Sequence, residues 1–342
     1  MELTPQFLEK LPKTDLHVHL DGCLRIPTLI DLAAKQNVEL PSTNPKALAK
    51  YVMTGKNCKN LGEYLQGFDI TLSVLQEAEA LYRVAYELAE DAAKENVWYM
   101  EVRYSPILHT QKGMSLTTIV DAVLQGLADA EKAFNIKTGV IICGMRNINP
   151  ETSLMLAELA VAYKNRGVVA FDLAGQEESY PAKDHKEAYY LIRNNNINTT
   201  AHAGEAFGAE SIHQAIHYCG AHRIGHGTRL FENGDLLNYC NDHRIPLEIC
   251  LLSNIQTGAS PSLERHPLKL YYNYGLRVCI NTDNRLISDT TVSNEYYLAA
   301  KHLGFQLDDI KNIIIDGFKS AFLPKRTRSV LLQQVTTELA KY

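Results

Sequence analysis

The sequence lacks a run of about 18 or more apolar residues, so a transmembrane helix is not expected. It has no Cys-x-x-Cys pair. The seven cysteines stand at 23, 58, 143, 219, 240, 250 and 279, an odd number, and most lie in apolar segments such as VIICGM and LEICLL. Thiolate zinc sites usually bring their ligands in close pairs, so that class is disfavoured, and reduced, buried thiols in a cytoplasmic protein fit the pattern. There is no Lys/Arg cluster. The 34 basic residues are outnumbered by 39 acidic ones, giving −5, which fits neither duplex nucleic acid nor an anionic membrane as a partner. The start, MELTPQFLEKLPKTD, has no basic stretch followed by an apolar one, so no secretory signal is expected. Low-complexity tracts, short-period repeats and Pro/Gly/Ser linkers are also missing. With 46% apolar and 21% charged residues, the 342-residue chain reads as one soluble domain over 1–342.

What is present is a recurring short β-rich segment followed by a helical one. Strands are expected at 15–21, 97–104, 138–145, 168–174, 198–203, 223–228, 246–252 and 277–282. Residues 116–134 have apolar positions at helical spacing. Residues 150–165 open with Asn149 as N-cap and Pro150 in the first turn. Shorter helices are expected over 185–194, 208–219 and 232–242, and 262–274 is ambiguous. Eight strands with interposed helices predict an α/β (β/α)8 TIM barrel, with a doubly wound open sheet as the alternative. Residues 22–96 add extra helices after strand 1, including 61–76 and 78–94, and 291–342 form a C-terminal helical tail. Leu61, Tyr64, Leu65 and Phe68 share a helical spacing that serves a core face more often than a lid.

The polar residues of chemical interest gather at strand ends. In Asp15–Gly22 the strand alternation puts His17, His19 and Asp21 on one face. Two imidazoles two residues apart can chelate one cation, although His-x-His alone is as well explained by hydrogen-bonded histidines. Thr200–Glu205 ends a strand with His202 and follows it with Glu205 in a Gly-permitted turn, or else in an ordinary first helical turn. His226 stands between two glycines, and Asp283 and Asn284 follow the last apolar strand, where an Asx turn is the ordinary reading. Barrel closure makes strands 1 and 8 neighbours and so brings positions 17, 19, 202 and 283 to one point. Three neutral imidazoles and one carboxylate suit Zn²⁺. Glu205 is then free to serve as a proton donor, and His226 to orient or deprotonate a water.

TDLHVHLDG, FDLAGQE, TAHAGE, RIGHG and NTDN, with MEVRYSP and LEICLLSN between them, occur in an order and at spacings that resemble the adenosine deaminase family. The resemblance runs from about residue 11 to 290. It implies a (β/α)8 barrel with one Zn²⁺ per chain, held by His17, His19, His202 and Asp283. It implies that Glu205 protonates purine N1 and that His226 handles the attacking water. It further implies that His19, Asp21, Gly175 and Asn284 meet the substrate, with the Gly175 N–H on purine N3 and Asp21 on the ribose 5′-hydroxyl. The implied reaction, in purine salvage, is hydrolytic deamination of adenosine, and 2′-deoxyadenosine with it, by zinc-activated hydroxide adding at C6. Adenine or a 5′-modified adenosine is the alternative substrate. For Glu205 to donate at neutral pH its pKa must be raised by burial.

One departure stands out. Many members carry a second Asp where this chain has Asn284. An amide N–H donates at any pH, whereas a carboxyl donates only when protonated. A binuclear barrel hydrolase is disfavoured because strand 4 ends in FDLAGQE without a Lys. The H-x-E, P-C-x-x-C class of deaminase is removed by the missing Cys pair. A catalytically dead barrel should have lost a ligand or the proton donor, and none is lost.

Overall fold

The computed structural model describes residues 3–342. Eight parallel strands follow one another in sequence order around a single sheet: β1 (Lys13–His19), β2 (Val97–Tyr104), β3 (Lys137–Met145), β4 (Val168–Ala174), β5 (Asn198–Ala203), β6 (Arg223–His226), β7 (Leu247–Ile249) and β8 (Val278–Ile280). Parallel neighbours need a crossover, and helices supply it; Leu116–Ala133, Pro150–Ala162, Lys186–Asn194, Ala209–His217 and Gly234–Asp242 pack outside the strands. Asn149 caps the second of these, accepting from Thr152 N at 2.8 Å. The ring closes at its C-terminal rim: His19 N donates to Asp283 O and Asp283 N to His17 O, both at 2.8 Å. The seam is thus sewn by residues of chemical interest. One continuous apolar cluster fills the layer between strands and helices.

The structure corrects several boundaries. β1 stops at His19, so Asp21 lies on a 3-10 turn (Leu20–Gly22) and not on the strand face. β7 is three residues long, and Leu251–Gln256 is helical. An apolar run such as LEICLL serves a buried strand or a buried helix equally. The expected 61–76 helix is two, Leu61–Leu65 and Gly67–Val74. The chain is tight at the break, for a Cβ at Gly67 would stand 2.7 Å from Thr54 Oγ1 and 2.9 Å from Val52 O. The ambiguous 262–274 segment is a 3-10 turn followed by the helix Leu268–Tyr274. After β8 come three helices, Val292–Leu303, Leu307–Ser320 and Lys325–Leu339. Among the described residues no helix is long and apolar enough to cross a membrane.

Candidate metal centre and catalytic pocket

A cavity of about 250 Å³ opens at the C-terminal rim of the barrel. His19, Asp21, Gly175, His202, Glu205, His226, Asp283 and Asn284 all line it. His17 lies just beneath, fully buried.

At the floor, His202 Nε2 stands 3.1 Å from Nε2 of both His17 and His19. Asp283 Oδ1 stands 3.4 Å from the first of these and 3.3 Å from the second. Four donors at about 2.0 Å from a tetrahedral cation would be spaced by about 3.3 Å. The remaining contacts of the rings sharpen the fit. His17 Nδ1 donates to Glu248 Oε2 at 2.9 Å, and His202 Nδ1 to Asp172 Oδ2 at 3.0 Å. Arg103, itself buried, donates to both carboxylates, at 2.9 and 3.1 Å, and its guanidinium helps hold each well below the usual carboxylate range despite burial. With Nδ1 of each ring carrying the proton, each Nε2 presents a lone pair to the other. Lone pairs 3.1 Å apart beside a carboxylate repel one another unless a cation stands among them. His226 also places a ring nitrogen within 4.8 Å of donor atoms of His17, His202 and Asp283, so five side chains compete for the four positions of a tetrahedral site.

Backbone conformation aims two of these groups. His226 and Asp283 both sit in the left-handed region, with φ of 61° and 60°, a strain of about 1–3 kcal/mol each that active sites characteristically hold. Ser253 Oγ fixes the second carboxylate oxygen of Asp283 at 2.6 Å.

Glu205 faces His226 across 3.5 Å and is buried. Burial, reinforced by the negative charges of Asp283 and Glu177, pushes its pKa up. Its turn is braced from below: the Glu177 carboxylate accepts from the backbone N–H of Gly204, Glu205, Ala206 and Phe207 at 2.6–3.1 Å. Gly175 holds φ of 96°, which a side chain would strain, and a Cβ there would stand 2.4 Å from Asn147 Oδ1. Asp21 is buried, its pKa pushed up to about 7 by burial, and its Oδ1 has no hydrogen-bond partner. Asn284 donates from Nδ2 to Tyr64 Oη at 3.0 Å, and Tyr64 Oη in turn meets Ser288 Oγ at 2.7 Å. One amide proton is thereby taken by the protein, and the buried Oδ1 has no partner. The face of Leu61, Tyr64, Leu65 and Phe68, expected more often as a plain core face, lines the cavity, with Tyr64 buried and the other three partly exposed.

Asp172, Glu177, Asn254 and His266 were not distinguished in the sequence. Asp172 and Glu177 lie inside FDLAGQE, where alternation along β4 could have singled out the first. Asn254 closes LEICLLSN, and no local signal marks His266.

The adenosine deaminase family model matches residues 12–338. A probable adenosine deaminase of Dictyostelium discoideum is 44% identical over 322 residues, which is 94% of this chain and 42% of that longer protein. An adenosine deaminase of Mycobacterium sp. (strain JLS) is 43% identical over 350 residues, covering 97% of this chain and 96% of its own. Among solved structures, an adenine deaminase from Arthrobacter aurescens superposes with a TM-score of 0.91 at 26% identity, covering 97% of this chain and 100% of that one. An N6-methyl-AMP deaminase from Arabidopsis thaliana superposes with a TM-score of 0.87 at 26% identity, covering 99% and 100%.

Proposed function

The chain belongs to the adenosine deaminase family, and from that premise we propose that it hydrolyses adenosine, and 2′-deoxyadenosine with it, to the 6-oxo nucleoside and ammonia. The observation that carries the reading is the convergence of His17, His19, His202 and Asp283 beside the buried carboxyl of Glu205. Held by those four side chains, a divalent cation, Zn²⁺ in our reading, would lower the pKa of a water from about 15.7 to about 7 and so supply the nucleophile.

The chain's own groups do the rest. Glu205, whose pKa burial raises, delivers a proton to purine N1, so that C6 accepts the incoming oxygen without building charge on the ring. His226 stands beside Glu205 at the face where the oxygen arrives. Gly175 offers its N–H to N3 and Asn284 its second amide proton to N7. The proton the water gives up restores Glu205, and the hydroxyl proton of the tetrahedral centre passes to the amino group, which leaves C6 as ammonia.

Asp21 sets the substrate class. Its unpartnered oxygen, in a cavity, calls for a hydroxyl donor such as the ribose 5′-OH, which a free base lacks. Among the described residues the cavity lining contains no Lys or Arg, while Asp21 and Asp69, with Glu205 and Asp283, are acidic; a 5′-phosphate would meet repulsion with nothing to offset it. We place the protein in the cytoplasm, because all seven cysteines are free and six are buried.

A panel of adenosine, 2′-deoxyadenosine, adenine, AMP and 5′-modified adenosines tests this. The readout is the ultraviolet change on loss of the 6-amino group, with metal analysis alongside. Adenosine should turn over fastest, and a chelator should abolish the change. Turnover of adenine or AMP in preference to adenosine would contradict it.

A further inference from the structure

Behind the cavity wall, the ring of His226 is tied into a buried chain of hydrogen bonds that begins at a backbone amide. Leu268 N donates to His266 Nδ1 at 3.1 Å. A backbone N–H only donates, so this ring nitrogen must carry a lone pair. Burial lowers the pKa of the His266 ring to about 3, so the ring is neutral and its one proton sits on Nε2. That N–H donates to Asn254 Oδ1 at 3.1 Å. The other end of the amide, Nδ2, then donates to His226 Nδ1 at 3.0 Å. The order of donors is dictated by the backbone anchor and holds whichever way round the amide is placed. All three side chains are buried, at 3%, 0% and 1% exposure for His266, Asn254 and His226, so water does not compete for these bonds.

We propose that Asn254 and His266 are positioning residues that hold His226 in the tautomer with Nδ1 bare and its proton on Nε2, the nitrogen that faces Glu205. The inference rests on the reading of the site given above and deepens it in two ways. A protonated ring nitrogen has no lone pair for a metal. His226 is therefore withheld from the cation although it lies within 4.8 Å of three of the donors, and His19 takes the fourth place. The same N–H points a donor into the cavity. It would hold the oxygen of the attacking water, stabilising it as hydroxide, and it cannot take a proton from that oxygen without first giving up its own. Of the two roles open to His226, orienting the water or deprotonating it, the chain selects the first.

The test uses zinc-loaded enzyme labelled with ¹⁵N in its histidine rings. Nitrogen–proton correlation spectra are recorded at about pH 8.5, where an ordinary imidazole is neutral. Wild type should show His226 with the proton on Nε2 and a bare Nδ1. Asn254→Asp replaces the donor by a group that only accepts. The His226 proton should move to Nδ1, kcat should fall by about a hundredfold and KM should stay within about twofold. His266→Phe, which removes the anchor but leaves the amide, should give both tautomers and an intermediate kcat. A wild-type spectrum with the proton on Nδ1 would overturn the proposal, and so would a swapped tautomer with unchanged kcat. The wild-type spectrum decides without any variant having to fold. If wild type deaminates none of the nucleosides offered, the activity assigned above fails, while the spectrum still reports the tautomer.

Discussion

At the residue scale, the site is a set of groups each held in the protonation state its task needs. On the proposed reading Glu205 is the acid, and burial shifts its pKa upward, in the direction that role needs. Glu205→Gln keeps the shape and removes the transferable proton. Expected is a kcat loss of about a thousandfold with one equivalent of metal retained, measured by steady-state kinetics and metal analysis; a loss below about tenfold would remove Glu205 from its role. Asn284 bears on the same principle at the purine's other edge. In Asn284→Asp the Tyr64 hydroxyl must turn to donate to the new carboxyl, and that carboxyl donates to purine only when protonated. Activity should persist near pH 6 and fall faster than wild type toward pH 9, in kcat/KM measured across about that range; superimposable profiles would contradict it. The residues aimed into the cavity were legible because strand ends in a barrel deliver them there and each stands in a short, distinctive segment. The groups that hold them were not. Glu177 accepts from backbone amides some way along the chain, and His266 reaches the site only through the side chain of Asn254, a partner that nothing in its neighbours announces.

At the element scale, the barrel interior is crossed by a charge network joining four strands. Arg103 on β2 bridges Asp172 on β4 and Glu248 on β7, and Arg223 on β6 donates to Glu248 Oε1 at 2.6 Å. Because these carboxylates orient His17 and His202, the network would serve the proposed metal as well as the fold. Arg103→Met should weaken metal affinity by about 10- to 100-fold by competition with a chelator, and lower stability by about 3–5 kcal/mol through the stranded carboxylates. Unchanged affinity in a folded variant would show the network to be structural alone. A second buried acid lies outside the cavity. Glu295, near the start of Val292–Leu303, accepts from Thr290 Oγ1 at 2.7 Å and from Leu252 N at 3.2 Å, and burial pushes its pKa up to about 8. A folded pKa above the ordinary 4.5 means that the folded state holds this proton more tightly, so the group costs stability progressively as pH rises from there to about 8. The Tm gap between wild type and Glu295→Gln should narrow or reverse between about pH 5 and about pH 9, and a constant gap would contradict this. Strand and helix periods read well from the sequence where one face was apolar. They failed at 246–252, where a largely apolar run does not choose between strand and helix, and at 66, where the chain divides into two helices beside a Gly67 packed close to Val52 and Thr54.

At the scale of the whole molecule, closure of the sheet and assembly of the site are one event. The hydrogen bonds that join the first and last strands run between His17, His19 and Asp283, so the donors meet only when the ring is complete. That convergence was legible in outline, since eight strands in sequence order leave β1 beside β8. Which imidazole stays out of the proposed coordination set was not, because in our proposal it depends on the buried chain through Asn254 and His266. The most direct measurement is the anomalous scattering of crystals of the metal-loaded protein at the zinc edge. It should show one peak at about 2.0–2.2 Å from Nε2 of His17, His19 and His202 and from Oδ1 of Asp283. No peak in this cavity, or a peak bonded to His226 in place of His19, would contradict the account.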